Sequence, residues 1–193
     1  MGQRTQILVI RENNKGEKNV KFYHHQWGFG RVMYLALMDA YMNDYNKESF
    51  KSGYNFLNNK DFTTNDKIHD VTTDVPKEVL NAVDITDFET IKNVFEFGDN
   101  NNGGLVISIK EGNKHYDDAD FKIGFLLGKE DSYTYDNKTN EQIDIEKPFS
   151  RYLTPQEYGK MNGGCSYSDE KFVKMFTDFC EYFGIEYLSN VNE

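Results

Sequence analysis

Residues 5–24, TQILVIRENNKGEKNVKFYH, decide the fold class. Thr5-Gln6-Ile7-Leu8-Val9-Ile10 is rich in β-branched and aliphatic side chains, which suit a pleated, packed surface. Asn13-Asn14-Lys15-Gly16 then supplies turn chemistry, because asparagine bonds its own backbone and glycine accepts positive φ. Val20-Lys21-Phe22-Tyr23-His24 resumes the β-rich pattern, so the stretch spells a hairpin. The plan recurs downstream: Leu105-Val106-Ile107-Ser108-Ile109, a Glu111-Gly112-Asn113 turn, then Phe121 to Leu127 as the partner strand. A weaker hairpin is expected between Tyr133 and Ile145, centred on Asp136-Asn137-Lys138.

Outside the hairpins the period changes. Val32, Leu35, Ala36, Met38, Met42 and Tyr45 fall near one face of a 3.6-residue repeat and predict a buried helix over 31–45. Residues 46–73 are polar, with Phe50, Tyr54, Phe56, Leu57 and Phe62 as anchors of a partly helical connection. Pro76 to Val83 is helix-compatible with Asp74 as its cap, and Thr86 opens a second short helix through Val94. The clearest helix begins at Ser168, whose hydroxyl caps it. Asp169 and Glu170 fill its first turn, Phe172, Phe176, Phe179 and Phe183 share one face, and Gly184 stops it. The expectation is an α+β domain: a mainly antiparallel sheet built from two or more hairpins, with an N-terminal-half helix and a C-terminal helix packed on it. Residues 1–193 read as one domain, with a candidate sub-lobe boundary near 98–104 at Gly103-Gly104.

The chain has 193 residues, 38% of them hydrophobic, enough for a single well-buried core. No run approaches the roughly 18 apolar residues of a membrane helix. Gln3, Arg4 and Gln6 precede a short apolar run that is no signal sequence, so the expected compartment is the cytoplasm. Cys165 and Cys180 read as two reduced thiols, the latter in the core. The net charge of -10 is unevenly spread. Residues 1–60 carry nine Lys/Arg against five Asp/Glu, whereas residues 61–193 carry thirteen against twenty-seven. An acidic surface of that kind disfavours direct nucleic-acid binding and attracts basic partners.

Two candidate sites follow. Tyr23-His24-His25-Gln26-Trp27-Gly28-Phe29-Gly30-Arg31 places two imidazoles, the only tryptophan and two glycines between the hairpin and the helix. A helix N-terminus after flexible glycines favours anions, so His24, His25, Trp27, Gly28, Gly30 and Arg31 compose a pocket in which a base stacks on Trp27 and a phosphate meets Arg31. Adjacent histidines on a strand point to opposite faces, and His69 and His115 have no ligand-spaced neighbours, so no metal and no cofactor are expected. Residues 111–146 hold ten acids and four lysines, with tyrosines interleaved. They lack the alternating ligands of a calcium loop. Asp117, Asp118, Asp120, Glu130, Asp131, Tyr133, Tyr135 and Asp136 instead suit a surface that meets an Arg/Lys-rich groove. Cys165, in a Gly-Gly turn before the C-terminal helix, would be the nucleophile of a Cys-His hydrolase.

Arg4-Thr5-Gln6-Ile7, the hairpin, and Tyr23 to Gly30 resemble the opening of small proteins of phages and other mobile elements, which pass through a strand, a turn and a His-x-Trp-like turn before a helix. The resemblance covers about 45 residues and brings no activity with it. Origin and charge together imply a binding protein rather than an enzyme. The expected role is inhibition of a basic, nucleic-acid-binding host defence protein, a CRISPR effector among the candidates, by occupying its groove in the anti-CRISPR manner. The alternative is a nucleotide or small-molecule binding protein, sponge or hydrolase, built on His24 to Arg31.

Overall fold

The computed structural model describes residues 4–26, 33, 68–98, 102–111, 120–129, 131–161 and 168–189. The opening hairpin is β1 (Thr5–Glu12) and β2 (Lys18–His25), and the second is β4 (Gly104–Lys110) and β5 (Asp120–Leu126). Asn13 makes the first turn, its Oδ1 accepting from the amides of Lys15 and Glu17. Two three-residue strands, β3 (Ile68–Asp70) and β8 (Ile185–Tyr187), complete a six-stranded sheet in the order β3-β2-β1-β4-β5-β8. Both hairpins and the β2/β3 pair are antiparallel, but β1 with β4 and β5 with β8 run parallel. The sheet is therefore mixed, with its two hairpins joined side by side through a parallel seam. β4 enters that seam at Gly104, so strands from both sides of 98–104 share one sheet.

Both faces of the sheet are covered, which explains why Ile7-Leu8-Val9-Ile10 and Leu105-Val106-Ile107 are apolar without alternation. On one face lie α1 (Lys77–Asn81) and α2 (Phe88–Phe95), whose Leu80, Ile91, Val94 and Phe95 pack with Leu8, Ile10, Phe22 and Val106. On the other lie α3 (Pro155–Lys160) and α4 (Asp169–Phe183), whose Tyr158, Phe172, Phe176 and Cys180 pack with Ile7, Val9, Leu105 and Ile123. Each helix pair is the crossover between two parallel strands, β3 to β4 and β5 to β8.

Local chemistry sets the helix ends. Ser168 caps α4 through the amide of Lys171, and Gly184 ends it at φ 64, a left-handed conformation that costs glycine little. The buried ridge of α4 is Phe172, Phe176 and Cys180. Phe179 and Phe183 are only partly buried and meet in a tilted pair with ring centroids 5.0 Å apart. Asp74 does not cap α1: it belongs to a 3-10 turn, Thr72–Asp74, and Pro76, which has no amide hydrogen to satisfy, takes the N-cap. Nor does Thr86 open α2. Asp87 accepts from the Glu89 amide there, while the Thr86 hydroxyl donates to Asp84. Of the helix expected over 31–45, only Met33 is among the described residues, and it is helical and buried. No helix among the described residues is long and apolar enough to cross a membrane.

Candidate functional site

Between β5 and α3 the chain forms a separate two-stranded sheet, β6 (Tyr133–Tyr135) with β7 (Gln142–Asp144). Asp136 organises its turn. The Asp136 Oδ1 accepts the amides of Thr139 at 2.8 Å and Lys138 at 2.7 Å, and these two bonds lower the carboxyl pKa below its ordinary value. Asn140 closes the turn at φ 58, a left-handed conformation that asparagine tolerates better than most side chains. The expected centre at Asp136-Asn137-Lys138 is thus the start of the turn.

Register divides the hairpin into two faces. Tyr133 opposes Asp144 and Tyr135 opposes Gln142, with the tyrosine rings edge to face at 5.6 Å; Thr134 opposes Ile143 on the reverse side. Thr134, Tyr135, Gln142, Ile143 and Asp144 are exposed and Tyr133 is half-buried. Tyr135 is 52% exposed, Ile143 47% and Ile145 64%, three of the five large apolar side chains exposed among the described residues. In sequence, residues 131–146 carry Asp131, Asp136, Glu141, Asp144 and Glu146 against Lys138, with Lys129 and Lys147 flanking them and Glu146 paired with Arg151.

The base of the hairpin is firmly tied. Buried Ser132 accepts the amides of Ile145 and Glu146 on its carbonyl and donates its hydroxyl to the Lys129 carbonyl at 2.7 Å. Glu146 is held by Arg151, Nε to Oε1 at 2.7 Å, and the same guanidinium forks onto Glu157 at 2.8 and 2.9 Å. Glu157 in turn accepts the Thr154 amide and completes the capping box of α3. The Arg151 bonds hold the Glu157 carboxyl down at about 2, while the Arg151 pKa is raised, chiefly by its bonds to Glu157. Thr154-Pro155-Gln156-Glu157 is a legible capping signature, but the Arg151 clasp has no local sequence signal.

Among the described expected partner residues, only Asp120 lies away from this surface. Asp120 opens β5 and pairs with Lys122 at 3.5 Å; the length of β5, about 20 Å, separates it from the hairpin base. Asp131 is at that base, where its Oδ2 accepts from Asn102 at 3.4 Å. Tyr133, Tyr135 and Asp136 are on the hairpin itself. Asp117, Asp118 and Glu130 lie outside the described residues.

Of the pocket residues, Trp27, Gly28, Gly30 and Arg31 lie outside the described residues, as does Cys165. His24 and His25 point to opposite faces as expected: His25 is buried opposite Thr5, and His24 shares the α1–α2 face with Gln6. His69, which sequence spacing leaves isolated, is directly opposite His24 on β3, with ring centroids 6.5 Å apart and planes 14° from parallel. Buried Cys180 has its thiol pushed up to about 12 by burial, so it is an inert core residue. No family model, curated protein or solved structure matches the chain.

Proposed function

We propose that the protein works by binding, with the β6–β7 hairpin entering the basic groove of a nucleic-acid-binding protein. The partner class is a host defence enzyme of the kind that anti-CRISPR proteins inhibit, met in the cytoplasm of a host cell. The observation that carries this reading is the mixture on the hairpin: exposed Tyr135, Ile143 and Ile145 among carboxylates, on a small sheet whose base is clamped. Apolar side chains left in water contribute nothing to the fold, yet next to carboxylates they match a groove of arginines and lysines. Guanidinium groups stack on tyrosine faces and fork onto carboxylates, and long aliphatic stems pack on isoleucine. A clamped hairpin also loses less conformational freedom on docking than a loop of the same length.

The test uses the full-length protein immobilised in a bacterial lysate, beside a Tyr135→Ser, Ile143→Ser, Ile145→Ser variant. The parent is expected to retain a nucleic-acid-binding protein that duplex DNA or high salt releases, and the variant to retain little of it. Equal retention by both proteins, or retention that neither DNA nor salt disturbs, would contradict the proposal.

A further inference from the structure

β7 pairs with β6 on one side, and its other edge faces solvent. The Asp136 amide donates to the Glu141 carbonyl at one end of the hairpin, and the Ile145 amide donates to the Ser132 carbonyl at the other. Thr134 lies opposite Ile143 between them. The alternation of an antiparallel ladder then turns the backbone of Ile143 inward to β6 and the backbones of Gln142 and Asp144 outward. Among the described residues nothing bonds those outward amides and carbonyls, and all three residues of β7 are exposed. A row of unpaired donors and acceptors of this kind is a template for another strand.

Taking the hairpin as the binding element proposed above, we infer that β7 grips its partner by strand addition, pairing antiparallel with an extended, basic segment at an exposed sheet edge of that protein. Gln142 and Asp144 each exchange backbone hydrogen bonds with the incoming strand. Ile143 takes the close, non-hydrogen-bonded position between them, so an aliphatic residue opposite it covers a side chain that is 47% exposed. Asp144 stands on the other face beside Tyr133, its Oδ1 accepting from Gln142 Nε2 at 2.9 Å. An arginine opposite Asp144 adds a charge-assisted bond to that carboxylate. Charge selects the occupant. A second copy of β7, paired antiparallel about Ile143, would line one seam with Glu141 and Asp144 from both copies, and like charges there oppose the pairing. A basic strand gains from the same carboxylates.

The probe is a capped peptide of alternating arginine and valine, titrated into the full chain beside oligoarginine of the same charge. The parent is expected to bind the alternating peptide about tenfold tighter than oligoarginine, and the amides of Gln142 and Asp144 to become protected from hydrogen exchange in the complex. Gln142→Pro removes one outward donor and sets a ring in the path of the incoming strand, while the hairpin's own ladder and charge are untouched. It should weaken the alternating peptide by about tenfold, with Gln142→Ala close to the parent and oligoarginine unaffected by either change. Protection of the two amides is read in the parent, independently of any variant's folding. Amides that stay unprotected, equal affinity for the two peptides, or equal affinity in Gln142→Pro and Gln142→Ala would overturn strand addition. A parent that dimerises through the same amides would overturn the choice of a basic partner. Docking by the hairpin as such stands or falls separately, on capture by the Tyr135→Ser, Ile143→Ser, Ile145→Ser variant.

Discussion

Replacing Arg151 by methionine removes the clasp at the base of the β6–β7 hairpin while keeping most of the side chain's apolar volume. Arg151 bonds Glu146 and Glu157 at once, with its shortest contacts at 2.7 and 2.8 Å. The Glu157 carboxyl falls from 4.5 to about 2, chiefly through Arg151 and in part through the Thr154 bonds; at ~1.4 kcal/mol per pKa unit, ~3.4 kcal/mol is a ceiling of which Arg151 holds only a part. Glu157 is 41% exposed, however, and solvent screening reduces that to about 1–2 kcal/mol at pH 7. The folded carboxyl titrates below the unfolded one. Its contribution is therefore complete above the unfolded value of 4.5 and is lost as pH falls toward about 2. By pH 3 less than about half should remain. Urea unfolding of parent and Arg151→Met at pH 7 and pH 3 measures both quantities. A difference below about 0.5 kcal/mol at pH 7, or one that does not shrink at pH 3, would show that Arg151 does not clasp Glu157 in this way.

Three further outcomes follow from the core. Phe176, fully buried between Phe172 and Tyr187, should cost about 3–5 kcal/mol when cut to alanine, and half-buried Phe179 distinctly less, in the same urea titration. Gly98→Ala should lower the melting temperature, because the new methyl meets the Gln6 side chain at 2.7 Å; Gln6→Ala in the same chain should relieve part of that loss. In a Cys165→Ser background, the thiol of Cys180 should react with a disulfide reagent at pH 8 only as fast as the protein opens, and at once in denaturant.

What could be read from the sequence was what local chemistry decides. The three hairpins carry strand-turn-strand patterns with asparagine, aspartate and glycine at their turns, and α4 carries its own cap, face and stop. The edge strands β3 and β8 escaped because three residues are too few for a period, and their strand character comes from the neighbours they pair with. The parallel seam between β1 and β4 joins residues nearly a hundred positions apart, and no local signal encodes it. Phe179 and Phe183 lie on the apolar face of α4, but burial at its last turn depends on what packs there, and Cys180 takes the buried place. The hairpin surface was half legible. The interleaving of acids and aromatics points to Tyr133, Tyr135 and Asp136, whereas nothing local distinguishes Ile143 and Ile145, which only the fold leaves exposed. Asp120 was grouped with them because it is near in sequence, although the strand between carries it away. His69 met His24 only through β3, a strand the sequence does not announce.

In the proposed role the hairpin supplies the contact and the acidic charge supplies the steering. Association kinetics with the captured partner, followed from low to high salt, test it most directly. Four proteins suffice: the parent, the Tyr135→Ser, Ile143→Ser, Ile145→Ser variant, an Asp136→Asn, Glu141→Gln, Asp144→Asn variant, and an Asp117→Asn, Asp118→Asn, Asp120→Asn variant. The apolar changes should speed dissociation and leave the salt slope intact, and neutralising the hairpin carboxylates should slow association and flatten the slope. Neutralising residues 117–120 should do less, since Asp120 stands about a strand's length from the hairpin base. Unaltered kinetics in both hairpin variants, with each still folded, would place the interface elsewhere and contradict the account.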